Sequence, residues 1–221
     1  RQAEGEALVA AITAAGGTAL FRPTDVSRPA DCAALVALAT DRFGRLDGAF
    51  NNAGLQREFC DIHETPDADI SDVIDINLKG ILYMMKYEAA AMLKTGGGAI
   101  VNNSSIFGLK AMPRLAYYVA AKHGIIGATR AAALDYAQKG IRVNAVCPGY
   151  TETEIVKTSI DRVVAKTGRT PEQAMAEFVK SNPQGRLVQP HEVADAVLWL
   201  CGRGASSITG QAIAVAGGEV M

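Results

Sequence analysis

The stretch GGGAIVNNSS, residues 96–105, shows the pattern that decides the predicted fold. Its three glycines end the preceding segment, and the apolar run after them predicts a buried strand over 99–103. Strands are also predicted over 46–51 and 142–147. Each of these strands ends in small, polar or turn-forming residues, and long stretches with helical periodicity separate them.

Helical segments flank these strands along the whole chain. Leu8, Ala11 and Ile12 recur at helical spacing until Gly16-Gly17 ends the pattern. Ser27 is predicted to cap a helix that runs to about Phe43. Further helices are predicted after Thr65-Pro66, Pro113 and Pro190, with short strands over 18–21 and 212–215 and a polar, irregular segment over 150–189. The alternation predicts an α/β fold, in which helices cover both faces of a parallel sheet.

Composition excludes several classes of protein. The 221 residues are 49% apolar and 20% charged, with a net charge of −1, so there is no basic field for nucleic acid. No apolar run reaches the length of a membrane span, and no cluster of metal ligands stands out. The four cysteines (Cys32, Cys60, Cys147 and Cys201) lie far apart and form no C-x-x-C, which favours reduced thiols in a cytoplasmic protein.

The carboxyl ends of the predicted strands indicate where a ligand binds. In open parallel sheets, ligands bind beyond these ends. Here they hold Asp25, Asn51 to Gly54, Ser104-Ser105 and Pro148-Gly149, which suit the close approach of a ligand. No G-x-S-x-G is present, and His63-Glu64 and His191-Glu192 each lack the second histidine of a zinc motif.

The stretch YYVAAK, residues 117–122, contains the candidate acid–base group. Tyr118 and Lys122 are four residues apart and share one face of a helix, whereas Tyr117 points roughly 100° away around the axis. A free phenol has a pKa of about 10, and an ammonium group nearby favours its ionised form. The spacing therefore predicts that Lys122 lowers the pKa of Tyr118, although such pairs also arise by chance on solvated helices.

Further motifs occur in order around this pair. They are NNAG (51–54), INLKG (76–80), VNNSSIFG (101–108), IRVNAVCPGYTET (141–153), NPQGRLVQPHEVADAVLWL (182–200) and ITGQAIAVAGG (208–218). Together with Tyr118-x-x-x-Lys122 they resemble the short-chain dehydrogenase/reductase family, in its classical branch. The resemblance extends from about Gly17 to Gly218. It implies a Rossmann-like, doubly wound, three-layer α/β/α fold in a single domain, residues 1–221.

The resemblance implies a catalytic role for four residues. Tyr118 resembles the general acid–base, and Lys122 resembles the residue that lowers its pKa and binds the nicotinamide ribose. Ser105 resembles the hydroxyl group that holds the substrate oxygen, whereas Ser104 is expected to point elsewhere. Asn77 resembles the helix residue that helps to hold a water molecule between Lys122 and solvent, although a satisfied core amide is the alternative.

The resemblance also implies a dinucleotide cofactor, NAD or NADP. Asn51, Ala53 and Gly54 resemble the loop on its adenosine side, and Asp25-Val26 resembles the adenine contact. The segment with Pro148, Gly149 and Thr153 resembles the one that closes over the nicotinamide amide. Arg1 is placed to meet a 2′-phosphate, which slightly favours NADP, or it is a solvated arginine at a helix start.

One part of the family pattern is missing from this sequence. The Gly-rich T-G-x-x-x-G-x-G loop that cradles the pyrophosphate is not found, nor are the strands on either side of it. Without them a buried sheet would have a gap of roughly 10 Å. We therefore expect the biological chain to contain this segment. A catalytically silent binding protein is the alternative if the segment does not exist.

The implied activity is NAD(P)-dependent interconversion of a secondary alcohol and a ketone. The last third resembles family members acting on 3-hydroxyacyl or 3-oxoacyl compounds or small ketones, and a sugar or polyol dehydrogenase is the alternative. Residues 150–190 are predicted to form a substrate lid, with Ile155, Val156, Ile160, Met175 and Phe178 either lining it or packing its helices together. The resemblance also implies a homodimer or homotetramer that pairs through the two long helices. The small residues at 89–91 and 131–133 either form that interface or pack on the sheet.

Overall fold

The sheet has four parallel strands. The structure, a computed structural model, describes residues 2–220. The strands are β1 (Gly48–Asn51), β2 (Gly98–Asn103), β3 (Ile141–Pro148) and β4 (Ala212–Val215), in the spatial order β1-β2-β3-β4. In this register Asn51 lies beside Asn102, and Val146 lies beside Ile213. The predicted parallel α/β fold is confirmed.

Helices cover both faces of the sheet. Side chains of adjacent strand residues point to opposite faces. On one face Ile100 packs with apolar residues of the helices that follow β1 and β2, and on the other Val101 packs against the last helix. The helices are α1 (Gln2–Ala14), α2 (Pro29–Phe43), α3 (Asp67–Val73), α4 (Gly80–Leu93), α5 (Ala116–Tyr136), α6 (Glu154–Thr167), α7 (Pro171–Val179) and α8 (Pro190–Cys201).

Two expectations for the first quarter of the chain are wrong. Residues 18–21 form no strand, because the sheet offers no neighbouring strand with which they could form a ladder. Phe21 packs instead against α1, where its ring leaves no room for a side chain on Gly5. Ser27 does not cap α2, since its hydroxyl group donates to Asp25 Oδ1 at 2.7 Å and Arg28 occupies the cap position.

The helix predicted from Thr65-Pro66 is interrupted. It consists of α3, a π-helical segment over Ile74–Lys79, and α4. The Thr65 hydroxyl group donates to the Asp61 carbonyl oxygen at 3.1 Å, and Pro66 stands at the cap position. π-Helical turns occur mostly as single bulges, frequently at functional sites. The interruption contains Asn77, a predicted site residue.

The glycines at 96–98 allow two backbone segments to pass closely. Gly97 has a φ of 128°, and a Cβ atom there would lie 2.2 Å from the Gly140 carbonyl oxygen. Gly98 donates its N–H to the same oxygen at 3.1 Å. Only glycine fits such a position. The turn before β2 therefore packs directly against the turn before β3.

The segment predicted as irregular contains α6 and α7, which form a helical layer over the carboxyl ends of the strands. Val156 and Ile160 are buried with Ala174 and Leu187, so they hold these helices together. Ile155 and Phe178 instead line a cavity beneath them. The apolar residues of the lid thus divide between the two readings that the sequence left open.

Candidate active site

Two adjacent serines at the end of β2 have different partners. Ser105 is 8% exposed and opens a 3₁₀ turn over Ile106–Gly108, where its hydroxyl oxygen accepts from Phe107 N at 3.2 Å. Ser104 donates to the Lys122 carbonyl oxygen at 2.9 Å, which fixes β2 against α5. The two hydroxyl groups point apart, as the sequence predicted.

Tyr118 and Lys122 lie in the first turns of α5, and they meet Ser105. The ammonium nitrogen of Lys122 lies 5.5 Å from the centre of the Tyr118 ring. It donates to the carbonyl oxygen of Asn103 at 2.8 Å. The Ser105 hydroxyl group lies close enough to the Tyr118 phenol to act on its pKa. The fold therefore brings the three predicted catalytic groups together.

Burial dominates the electrostatics of this cluster. It raises the pKa of Tyr118 to about 12, although the Ser105 hydroxyl group acts in the opposite direction. It lowers the pKa of Lys122 to about 8. The expected lowering of the tyrosine pKa by Lys122 is not found, because desolvation of a phenolate outweighs an ammonium group that is itself buried.

Tyr117 has a structural role. It is 3% exposed, and its hydroxyl group donates to the Glu58 carbonyl oxygen at 2.7 Å. Burial raises its pKa to about 12. Its phenol faces the loop after β1 instead of the strand ends, so the two tyrosines have separate environments.

Asn77 fastens the loop that follows β1. Its side chain is fully buried, accepts from Leu55 N at 2.8 Å and donates to Leu55 O at 2.8 Å. A Cβ atom on Gly54 would lie 3.3 Å from the Asn77 side-chain oxygen. The Asn77 amide thus has both a hydrogen-bond donor and an acceptor in the backbone of Leu55. Its role in holding a water molecule stays a prediction.

A crevice of 260 Å³ opens beside β1, on the adenosine side of the predicted cofactor site. Its lining includes the predicted residues Val26, Asn51 and Ala53, together with Thr24 and Asn52. The Asp25 carboxylate accepts from Ser27 N at 3.0 Å and from Ser27 Oγ, and these bonds lower its pKa. Asp25 therefore shapes the turn that presents Val26.

The nicotinamide side of the predicted site lies after β3. Gly149 donates its N–H to the Val215 carbonyl oxygen at 3.0 Å, and Thr153 donates to the Thr151 carbonyl oxygen at 3.3 Å just before α6. A Cβ atom on Gly149 would lie 3.2 Å from Ala216, so the backbone of the two segments is in contact. The residues present fit both ends of a dinucleotide. Arg1 lies outside the described residues.

A path of four aromatic rings runs from Tyr118 to the lid, and the sequence analysis missed two of these rings. Phe107 lies 6.5 Å from Tyr118 and 6.0 Å from Tyr150, and Tyr150 lies 5.1 Å from Phe178, all edge to face. Tyr150 and Phe178 line a cavity of 660 Å³ beneath α6 and α7. Tyr150 and Phe178 thus form an aromatic wall in this cavity, whose lining also contains charged residues such as Arg57 and Glu154.

A buried polar chain, also missed, runs behind the cofactor side. Asn51 Nδ2 donates to Glu88 Oε2 at 3.0 Å and to Asn102 Oδ1 at 2.9 Å, and Asn102 Nδ2 donates to Thr129 Oγ1 at 2.9 Å. These residues connect α4, β1, β2 and α5. Glu88 is 2% exposed, and burial raises its pKa to about 7. The two asparagines at strand ends, Asn51 and Asn102, were the available signal.

Within residues 2–220, no group of three or more histidine, cysteine or acidic side chains could hold a metal ion. The helices described are all too short or too polar to cross a membrane. All four cysteines are free thiols.

Comparison with known proteins defines the class of this chain. A sequence model of the family described as enoyl-(acyl carrier protein) reductase matches residues 1–219. Cyclohexanol dehydrogenase of Acinetobacter sp. (strain SE19) is 44% identical over 93% of this chain and 76% of its own length. An actinorhodin polyketide ketoreductase structure with NADPH has a TM-score of 0.91 at 36% identity, covering 97% of this chain and 83% of that one. A structure of NAD⁺-bound xylitol dehydrogenase has a TM-score of 0.92 at 31% identity, covering 99% and 86%.

The fold and the site thus define a Rossmann-like α/β oxidoreductase. The chain belongs to the short-chain dehydrogenase/reductase family. It is an NAD(P)-dependent enzyme that acts on CH–OH groups and interconverts alcohols and ketones.

Proposed function

We propose that Ser105, Tyr118 and Lys122 perform this reaction on a secondary alcohol or its ketone. The observation that supports it is the juxtaposition of these groups, with the Lys122 ammonium nitrogen 5.5 Å from the centre of the Tyr118 ring and the Ser105 hydroxyl group close enough to act on the pKa of the phenol. A substrate oxygen placed between the two hydroxyl groups would be polarised by Ser105 and would exchange a proton with Tyr118.

The protein's own residues bind and orient the cofactor, and they move the proton. The bound nicotinamide supplies or accepts the hydride. Lys122 holds the nicotinamide ribose, and the segment with Pro148, Gly149 and Thr153 holds the amide end. Asp25, Val26, Asn51, Ala53 and Gly54 hold the adenosine end. Asn77 helps to keep a water molecule between Lys122 and solvent, from which Tyr118 recovers its proton.

The raised pKa of Tyr118 favours the proton-donating direction in the resting site. With a pKa of about 12 the phenol keeps its proton at pH 7. It is then ready to protonate the oxygen of a ketone, whereas alcohol oxidation first requires a phenolate in a buried site.

The substrate is a cyclic or small apolar ketone, or the corresponding alcohol. The aromatic wall of Tyr150 and Phe178 supports this class, as does the similarity to a cyclohexanol dehydrogenase. A second candidate is a 3-oxoacyl compound, which the polyketide ketoreductase neighbour favours. A polyol is the third, favoured by the xylitol dehydrogenase neighbour, but an aromatic wall suits it least.

A substrate panel tests this proposal. Cyclohexanone, a 3-oxoacyl thioester and a ketose would be offered with NADH and NADPH, and the absorbance of the reduced nicotinamide would be followed. We expect the highest kcat/KM with cyclohexanone and loss of turnover in a Ser105→Ala variant. No turnover with any secondary alcohol or ketone would contradict the proposal.

We further propose a cytoplasmic homodimer or homotetramer. The four free thiols support a reducing compartment. Apolar side chains exposed on the long helices support association, with Leu134 82% exposed on α5 and Leu82 43% exposed on α4. Light scattering would test the assembly, and a Leu134→Glu variant is expected to weaken it. A monomer at micromolar concentration would contradict it.

A further inference from the structure

A buried carboxylate joins the lid to the site. Glu219 follows β4, and its side chain is 2% exposed. Its Oε1 accepts from Ser181 Oγ at 2.7 Å and from Lys110 Nζ at 3.1 Å. Ser181 is the second residue after α7, and Lys110 is the second residue after the turn that Ser105 opens. One carboxylate oxygen therefore ties the end of the lid to the catalytic loop.

The backbone around Glu219 packs closely against the same end of the lid. Gly217 has a φ of 58°, and a Cβ atom there would lie 2.3 Å from the Asn182 side-chain oxygen. A Cβ atom on Gly218 would lie 3.2 Å from Pro183. Both contacts require glycine, because a larger residue would push the lid away. The position of Glu219 relative to the lid is thus fixed on two sides.

The second oxygen of Glu219 lies beside Gly149. Oε2 is buried, accepts no hydrogen bond from any residue between 2 and 220, and lies 3.2 Å from the Cβ position of Gly149. The neighbouring residue is Tyr150, whose pKa is raised to about 12 by burial and, secondarily, by the charge of Glu219. The carboxylate therefore lies within electrostatic reach of the ring that connects Phe107 to Phe178.

A buried carboxylate is costly, so its presence at this junction requires an explanation. By contrast, the ion pair between α6 and the loop after β1, Lys166–Glu58, has side chains 67% and 60% exposed. Exposed pairs contribute little to stability. Glu219 is the buried anchor, and it holds the end of α7 where Phe178 reaches Tyr150.

We propose that Glu219 is a positioning residue of the substrate site. It fixes the exit of the lid and the Tyr150 wall, so that the cavity keeps the shape that binds substrate. It does not touch the reacting atoms. This inference rests on the proposed function for its kinetic consequence, whereas its structural consequence is independent of that function.

The test compares Glu219→Ala with Glu219→Gln and Lys110→Met. Glu219→Ala is expected to raise KM for the ketone substrate about tenfold, with kcat and the cofactor Kd changed less than about threefold. Glu219→Gln keeps an acceptor for Ser181 and should restore most of the affinity. Lys110→Met leaves the carboxylate buried without its cation, so it should raise KM at least as much as Glu219→Ala.

Hydrogen–deuterium exchange gives a readout that does not depend on activity. Amides of α7 should exchange faster in Glu219→Ala, whereas those of β2 and β3 should not change. Lys157→Met, which breaks an exposed ion pair within α6, is the matched control and should alter neither KM nor α7 exchange.

The outcomes separate this inference from the proposed function. Unchanged KM and unchanged α7 exchange in Glu219→Ala would overturn it. An equal loss of substrate affinity, cofactor affinity and unfolding midpoint would indicate a purely structural role and would also overturn it. If the wild-type protein has no turnover, the proposed function fails, and α7 exchange still decides whether Glu219 anchors the lid. If Glu219→Ala does not fold, Ser181→Ala takes its place in both measurements.

Discussion

The strand ends and the lid are held by different kinds of contact. At the strand ends, Lys122 and Ser105 are 4% and 8% exposed, and their hydrogen bonds involve backbone groups. In the lid, α6 and α7 carry exposed ion pairs such as Arg169–Glu177. The lid has its own small core around Val156 and Ile160. The first region is fixed by the sheet, whereas the second forms a separate layer above it.

This difference suggests how one fold serves several substrates. The proposed acid–base groups need fixed geometry, which buried backbone contacts supply. The cavity under the lid needs only a suitable shape and polarity, so its exposed helices can differ without disturbing the chemistry. The two regions meet at Phe107, Tyr150 and Phe178, where one ring from each side packs edge to face against Tyr150. The predictions below test this division, from the largest effect to the smallest.

Tyr118→Phe should abolish the reaction without altering the strand ends. We expect kcat to fall about 10³-fold, because proton transfer is lost, whereas calorimetry should give an unchanged cofactor Kd. The matched control is Tyr117→Phe, which removes the bond to the Glu58 carbonyl. It should cost about 1 kcal/mol of stability and leave kcat within about threefold. Equal kinetic losses in both variants would contradict the assignment of Tyr118.

Gly108→Ala should damage the strand-end region through packing. A Cβ atom there would lie 2.3 Å from Ser104 Oγ and 2.8 Å from the Lys122 carbonyl oxygen. We expect urea unfolding to show a loss of about 2–3 kcal/mol. Gly127→Ala is the control in α5, where a Cβ atom meets nothing within 4 Å. It should stabilise the helix by up to about 1 kcal/mol. Similar effects at both glycines would contradict the close packing described.

Glu88→Gln should remove a pH dependence of stability. The folded-state pKa of Glu88 is raised from 4.5 to about 7, so the neutral form is favoured by folding. Its stabilising contribution is complete below about pH 4.5 and is lost as the pH rises through about 7. The advantage of Glu88→Gln in unfolding free energy should therefore grow by about 2 kcal/mol between pH 5 and pH 9. A constant difference would show that Glu88 does not titrate in this range.

Lys166→Met should have the smallest effect of the series. It breaks the exposed ion pair with Glu58. Water already solvates both charges, so we expect KM to rise less than about twofold and the unfolding midpoint to stay unchanged. Steady-state kinetics at low and high salt would check this. A KM effect as large as that of Glu219→Ala would mean that the exposed pair anchors the lid.

Local patterns predicted the strand-end region well. The apolar run over 99–103 and the turn residues around it located β2, and the four-residue spacing selected Tyr118 over Tyr117. These features depend on neighbours in sequence, so a single segment contains the information. The strand expected over 18–21 was wrong for the converse reason. A parallel strand exists only beside a partner, which no local pattern can supply.

The lid and the electrostatics were not predictable in the same way. Glu219 and Lys110 are 109 positions apart, and Tyr150 and Phe107 are joined only by the packing of β3 against the turn after β2. The pKa of Tyr118 was expected to fall, and burial raises it. Desolvation depends on every atom around a group, so the sequence supports only the pairwise part of the argument.

The sequence by itself determined the parallel α/β fold, the placement of Tyr118 and Lys122 in one helix and the family to which the chain belongs. Periodicity and the fixed spacing of residues in a helix are local properties, and the motifs keep them in order along the chain. The tertiary structure alone decided the state of the buried groups, the aromatic path from Tyr118 to Phe178 and the anchoring of the lid by Glu219. Those features arise where distant segments exclude water together, because only that exclusion sets the cost of a charge and the partners of a side chain.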